Sequence, residues 1–197
     1  MNVCVCGHGP SLKGAGLGPA IDTHDKVVRL KSSQTVMWTN DFGSKVDALC
    51  SSTEIMGTFF KMEASEYWGY PKNGDFDVKK FINMFLRLQK PVMIPLSFIN
   101  TWNARFRQMG ARHNNVSTGM AAILIAIHRW KPDKIVLAGF DTLLNPAIEF
   151  SRHNEIPRSG SGPYPSHDWI KENELLEVLR DTYNMEITCI QMMSRLS

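Results

Sequence analysis

Short apolar runs rich in β-branched residues recur along the chain, separated by stretches of helix length. These runs predict strands at 3–6, 26–30, 46–50, 92–95, 134–138 and 186–190. Apolar positions at helical spacing predict helices at about 78–89, 97–109, 118–130 and 167–183. Strands alternating with helices specify an α/β fold, a mostly parallel sheet flanked by helices. Ligands of such sheets bind beyond the carboxyl ends of the strands. The residues just after Cys6, Cys50, Pro95 and Ala138 are therefore the ones to inspect. One stretch breaks the pattern: from Ser151 to Ser166 the chain is too long and too rich in Ser, Gly and Pro for an ordinary connection. It predicts a lid loop within 142–166, inside a single domain spanning 1–197.

Composition narrows the class. The chain has 197 residues, 43% hydrophobic and 21% charged, which excludes a disordered or low-complexity protein and allows a sizeable core. A formal net charge of +3 tolerates an anionic ligand without arguing for a nucleic-acid surface. The longest apolar run, Met120 to Ile127, falls far short of the roughly 20 residues a membrane helix needs. The first residues lack a basic segment and break at Gly7, so they read as a buried strand rather than a signal peptide. Cys4 and Cys6 alternate with Val3 and Val5 on one strand face, a spacing foreign to zinc sites. The expectation is a reduced, cytoplasmic protein with no metal and no transmembrane segment.

Three segments carry candidate chemistry. Gly7-His8-Gly9-Pro10-Ser11-Leu12-Lys13 follows the first strand, and its glycines would let the backbone approach an anion. A dinucleotide fingerprint needs a third glycine where Leu12 stands, and Gly14, Gly16, Gly18 and Pro19 forbid a continuous helix, so a dehydrogenase is the weakest reading. Ser117-Thr118-Gly119 opens an Ala/Ile/Leu helix; Ser117 or Thr118 is a good cap, and the helix start favours a phosphate. The strand after that helix ends in Gly139-Phe140-Asp141 at the ligand-facing edge. Third, Ser166 would cap a helix with Trp169, Leu176, Leu179 and Tyr183 on its core face, leaving His167 in the first turn, where the dipole keeps its ring neutral and able to accept a proton.

Taken together, these segments resemble the motifs of sialyltransferases. Gly7-His8-Gly9-Pro10-Ser11-Leu12 is similar to their Gly-Asn-Gly-Pro-Ser-Leu turn, Ser117-Thr118-Gly119-Met120 to their Ser/Thr-Gly motif, and His167 with Glu172 to their His-x-x-x-x-Glu motif. In size the chain looks closest to the compact bacterial enzymes of glycosyltransferase family 42, with echoes of the animal enzymes in Ser117-Thr118-Gly119 and His167-Asp168. The resemblance implies a Rossmann-like, single-domain, GT-A-like fold and an inverting, metal-independent transfer of sialic acid or a related sugar from a CMP-sugar to a hydroxyl acceptor. His167 would be the general base, with Tyr164 beside it. Gly7, His8, Gly9, Pro10, Ser11, Lys31, Ser51, Ser52, Ser117, Thr118, Gly119, Gly139, Phe140 and Asp141 would hold the donor. There would be no cofactor beyond the CMP-sugar co-substrate.

The departures bear on the donor. His8 stands where the family has Asn, Ser51 or Ser52 where it has a second Asn, and Asn115 where an arginine often precedes the Ser/Thr-Gly motif. Thr142, Leu143 and Leu144 follow Asp141 in place of a tyrosine, so Arg152, His153 or Arg158 of the lid would supply that role. Asp75-Phe76-Asp77 reads as a helix cap rather than a divalent-metal site. Two alternatives stand beside the transferase. Arg105, Arg107, Arg112 and His113 near Trp102 and Phe106 would serve a modified nucleic-acid base as acceptor. The substituted positions would also suit a degenerate nucleotide-binding module.

Overall fold

The computed structural model describes residues 1–7, 9–30, 39–52, 63–70, 91–141 and 167–190. Seven parallel strands form one sheet among them: β1 (Asn2–Cys6), β2 (Lys26–Leu30), β3 (Ala48–Ser52), β4 (Glu66–Tyr70), β5 (Pro91–Met93), β6 (Lys134–Ala138) and β7 (Glu186–Cys189). Their order across the sheet is β5-β4-β3-β2-β1-β6-β7. The chain therefore runs outward from β1 to β5, then returns to the other side of β1 to lay down β6 and β7. β1 is hydrogen-bonded to both β2 and β6, with Val5 opposite Val28 and Leu137. That reversal is the topological switch point, where open α/β sheets place their ligands.

Alternation along the strands builds two cores. Val3, Val5, Val28, Leu30, Ile135 and Leu137 face α4 (Thr118–Trp130), whose residues from Gly119 to Ile127 are all buried. A helix apolar all round must be covered all round. The sheet covers one side of α4, and apolar residues of α3 (Leu96–Gln108) and α5 (Trp169–Tyr183) join the same core. The apolar run that opens at Met120 is thus the central core helix. Cys4, Cys6, Val27 and Ala138 face the opposite side, with Ile21 of α1 (Gly18–Asp22) and Phe42 of α2 (Thr39–Phe42). No helix of the described residues is long and apolar enough to cross a membrane.

The sequence expectations need a few corrections. β4 was not expected; β3 begins at Ala48 rather than 46, and β5 covers Pro91–Met93 rather than 92–95. Tyr183, assigned to a core face, is 43% exposed, because the apolar face of α5 is Leu175, Leu176 and Leu179. The expected helix at 78–89, Asp75 and Asp77, and the lid at 142–166 lie outside the described residues.

Candidate functional site

At the end of β1 the glycine turn folds directly onto the end of β6. The Gly7 amide donates to the Ala138 carbonyl and the Gly9 amide to the Gly139 carbonyl, both at 2.8 Å. The Ser11 amide donates to Asp141 Oδ2 at 2.8 Å, and its hydroxyl donates to Asp141 Oδ1. A Cβ on Gly9 would lie 2.6 Å from the Gly139 oxygen and 2.7 Å from the Asp141 carboxylate, so no larger residue fits. Gly139 itself has φ +67°, which favours glycine. The expectation that these glycines turn their amides towards an anion is therefore corrected. The amides of Gly7, Gly9 and Ser11 are spent on Ala138, Gly139 and Asp141, at and just beyond the end of β6, and the glycines are small so that the two segments can touch. Pro10–Leu12 form a single 3-10 turn, and Leu12 is buried.

Phe140 links this turn to the start of α4. Its ring lies 3.3 Å from where a Gly7 Cβ would stand and 2.7 Å from where a Gly119 Cβ would stand. Ser117 caps the helix: its Oγ accepts the Met120 amide at 3.1 Å. Ser117 is in turn held by Glu172 of α5, whose Oε1 accepts the Ser117 amide at 2.5 Å and whose Oε2 accepts the Ser117 hydroxyl at 2.7 Å. The Tyr70 hydroxyl, at the end of β4, donates to Thr118 Oγ1 at 2.9 Å. Among the described residues nothing accepts from the Thr118 and Gly119 amides. They are the unspent donors of the helix start, which carries the positive end of the α4 dipole.

His167 stands just ahead of α5 rather than in its first turn. The cap is Asp168, whose Oδ1 accepts the Lys171 amide at 3.3 Å. The expectation of a Ser166 cap is displaced because Asp168 satisfies two amides at once, its Oδ2 taking the Arg112 amide at 2.9 Å. The His167 ring packs on Trp169, with centroids 4.9 Å apart at 57°. The Trp169 Nε1 is buried without an acceptor among the described residues.

Ser51 and Ser52, at the end of β3, are buried, and neither hydroxyl has a partner among the described residues. Ser52 stands in register with Tyr70 on β4. Buried hydroxyls without partners are uncommon and call for a water or a ligand. Asn115, in contrast, is turned away: its Oδ1 accepts from Asn103 of α3 at 3.0 Å. His8, Lys31, Tyr164, Arg152, His153 and Arg158 lie outside the described residues. Sequence reasoning missed Tyr70 and the buttressing part played by Glu172. No local signal marked Tyr70: its segment carries a charge and a glycine among the aromatics, and pairing with β3 and β5 makes it a strand. Among the described residues no group of three or more His, Cys, Asp or Glu side chains could hold a metal ion.

Comparisons with known proteins agree with this architecture. Residues 2–68 match the model of glycosyltransferase family 29 (sialyltransferase). No curated protein sequence gives a significant match. The fold is similar to the crystal structure of a mammalian sialyltransferase, at 20% identity and a TM-score of 0.61, over 94% of this chain and 68% of that one. The structure of a mammalian sialyltransferase in complex with Gal-beta-1-3GalNAc-ortho-nitrophenol aligns equally well, at 19% identity and a TM-score of 0.61, over 95% of this chain and 68% of the other. The matching model is that of family 29; these comparisons do not bear on the expected closeness to family 42. The family match covers the first three strands and the start of the fourth, about a third of the chain, and the fold is shared with these sialyltransferase structures over nearly its whole length.

Proposed function

We propose that the protein transfers sialic acid or a related sugar from a CMP-sugar to a hydroxyl acceptor, with inversion and without a metal ion. One observation carries this reading: the Ser117–Glu172 clamp holds the start of α4 against the helix that His167 precedes, beside the switch point. In this reading the donor phosphate faces the Thr118 and Gly119 amides, and the helix dipole stabilises the charge that grows on it as CMP leaves. The buried Ser51 and Ser52 hydroxyls supply further polar contacts to the nucleotide. Gly7, Gly9, Ser11, Gly139 and Asp141 shape the floor of the site without giving up their own hydrogen bonds. His167 takes the proton from the acceptor hydroxyl as its oxygen bonds the anomeric carbon and the bond to the CMP oxygen breaks. An imidazole titrates near neutrality and suits that task.

The test is CMP release from a panel of CMP- and UDP-sugars with and without a chelator. Transfer should require a CMP-sugar and survive the chelator. His167→Ala should lower transfer by roughly 10²–10⁴ while CMP binding persists. Full activity in that variant, or loss of activity on chelation, would contradict the mechanism; CMP binding with no transfer would mark a binding module.

A further inference from the structure

Resting on the transferase reading, we infer that Tyr70 is a positioning residue for the donor phosphate. It is 1% exposed and touches no substrate itself, but it fixes the Thr118 hydroxyl as a third hydrogen-bond donor beside the Thr118 and Gly119 amides. A threonine hydroxyl carries one proton and two lone pairs, so on its own it can either give or take a hydrogen bond. At the start of α4 the Tyr70 hydroxyl donates to Thr118 Oγ1 at 2.9 Å. The Thr118 proton must then point elsewhere, and among the described residues nothing accepts it. Thr118 is half-buried, whereas Ser117, Gly119 and Met120 around it are buried, so of these residues it is the one whose side chain a ligand can reach.

Ser117 cannot take this part. Its oxygen accepts the Met120 amide and its proton goes to Glu172. A hydroxyl that accepts a hydrogen bond is polarised by it and donates more strongly. Tyr70 therefore adds strength as well as direction, at a helix start whose dipole already favours an anion. A phosphate, with several oxygens, can take the hydroxyl and the two amides together.

A second observation on the same side of the sheet points to a ligand there. Ala48 and Cys50 of β3, with Trp68 and Tyr70 of β4, join the core that holds α4. Ser52, two residues on from Cys50, leaves β3 on that same face and stands in register with Tyr70. It is buried, and among the described residues its hydroxyl has no partner. A purely structural pairing explains less. A buried tyrosine needs a partner for its hydroxyl, and Thr118 supplies one. That need accounts neither for the unspent Thr118 proton nor for the bare hydroxyl of Ser52.

The deciding experiment is equilibrium binding of CMP, and of cytidine, which lacks the phosphate, to the full chain and its variants. Tyr70→Phe keeps the ring in the core and removes only the hydroxyl. It should weaken CMP binding about threefold to tenfold and leave cytidine binding unchanged. Thr118→Val should weaken CMP binding about tenfold, and the double variant should bind no more weakly than Thr118→Val alone. Thr118→Ser, which keeps the hydroxyl, should bind CMP nearly as the parent does. A merely structural Tyr70 would lower the thermal midpoint and leave the preference for CMP over cytidine as it was. That result, an equal loss of both ligands in Tyr70→Phe, or fully additive losses in the double variant would overturn the inference. A parent chain that binds neither ligand contradicts the transferase reading as well, whereas CMP binding indifferent to Tyr70 contradicts this inference alone.

Discussion

At the scale of single residues, Ser117 is the most heavily used position in the site. Its hydroxyl accepts from Met120 and donates to Glu172, while its amide donates to the other Glu172 oxygen. All of these groups are buried, so none has water as a substitute. Glu172→Gln replaces one accepting oxygen with a donor that faces a donor, and should cost about 1–3 kcal/mol. Ser117→Ala loses the cap and should cost about 1 kcal/mol or more. The two losses share one interaction, so the double variant should be less destabilised than their sum, by about 0.5–3 kcal/mol. Urea unfolding of the four proteins measures this, and simple additivity would show that the clamp is energetically idle. The sequence motif joined Glu172 to His167 because they are close along the chain. Its partner, Ser117, lies 55 positions away, and no local pattern reports a pairing at that distance.

At the scale of elements, legibility followed periodicity. The helix expected at 118–130 is α4, Thr118–Trp130, because a polar cap, an unbroken apolar run and a basic last turn all mark it locally. Its central residue Ile123 is fully buried, and Ile123→Ala should cost about 2–5 kcal/mol, read from the denaturant midpoint. A cost near zero would mean that α4 is not the keystone of its core. β4 was illegible for a physical reason. Glu66-Tyr67-Trp68-Gly69-Tyr70 carries a charge and a glycine, and what makes it a strand is tertiary: β3 and β5 pair with it on either side. The start of α5 was ambiguous in the same way. Ser166 and Asp168 are both good caps, and the choice is made by the Arg112 amide, from a distant loop. The glycine turn was recognised as a site element, but that its amides are spent at and just beyond the end of β6 depends on sheet order, which the sequence does not spell out.

At the scale of the whole molecule, two aspartates fasten the crossover after β1 to the one after β2. Asp41 of α2 accepts the Gly14 and Gly16 amides at 2.7 and 2.9 Å, and these bonds hold its carboxyl below the ordinary range. Burial pushes Asp22 up, but bonds from the Ser44 and Lys45 amides and the Ser44 hydroxyl outweigh it, and its carboxyl too is lowered. A carboxyl that is more acidic when folded lends stability above its unfolded pKa of about 3.9 and loses it as pH falls through the folded value. Thermal midpoints should therefore drop below about pH 4, and Asp41→Asn should flatten that drop while lowering the midpoint at neutral pH. An unchanged acid profile would remove Asp41 from the account. The position of β1 has one more consequence, in the order of assembly. β1 is an interior strand of the sheet, and β6, its neighbour on one side, begins only at Lys134. Contacts so far apart in sequence slow folding. Until Lys134–Ala138 emerges from the ribosome, a nascent sheet of β1 to β5 carries an open apolar edge, ready to join any other unpaired strand. Truncations that end before β6 make that edge permanent, and aggregation is the outcome the topology sets for them.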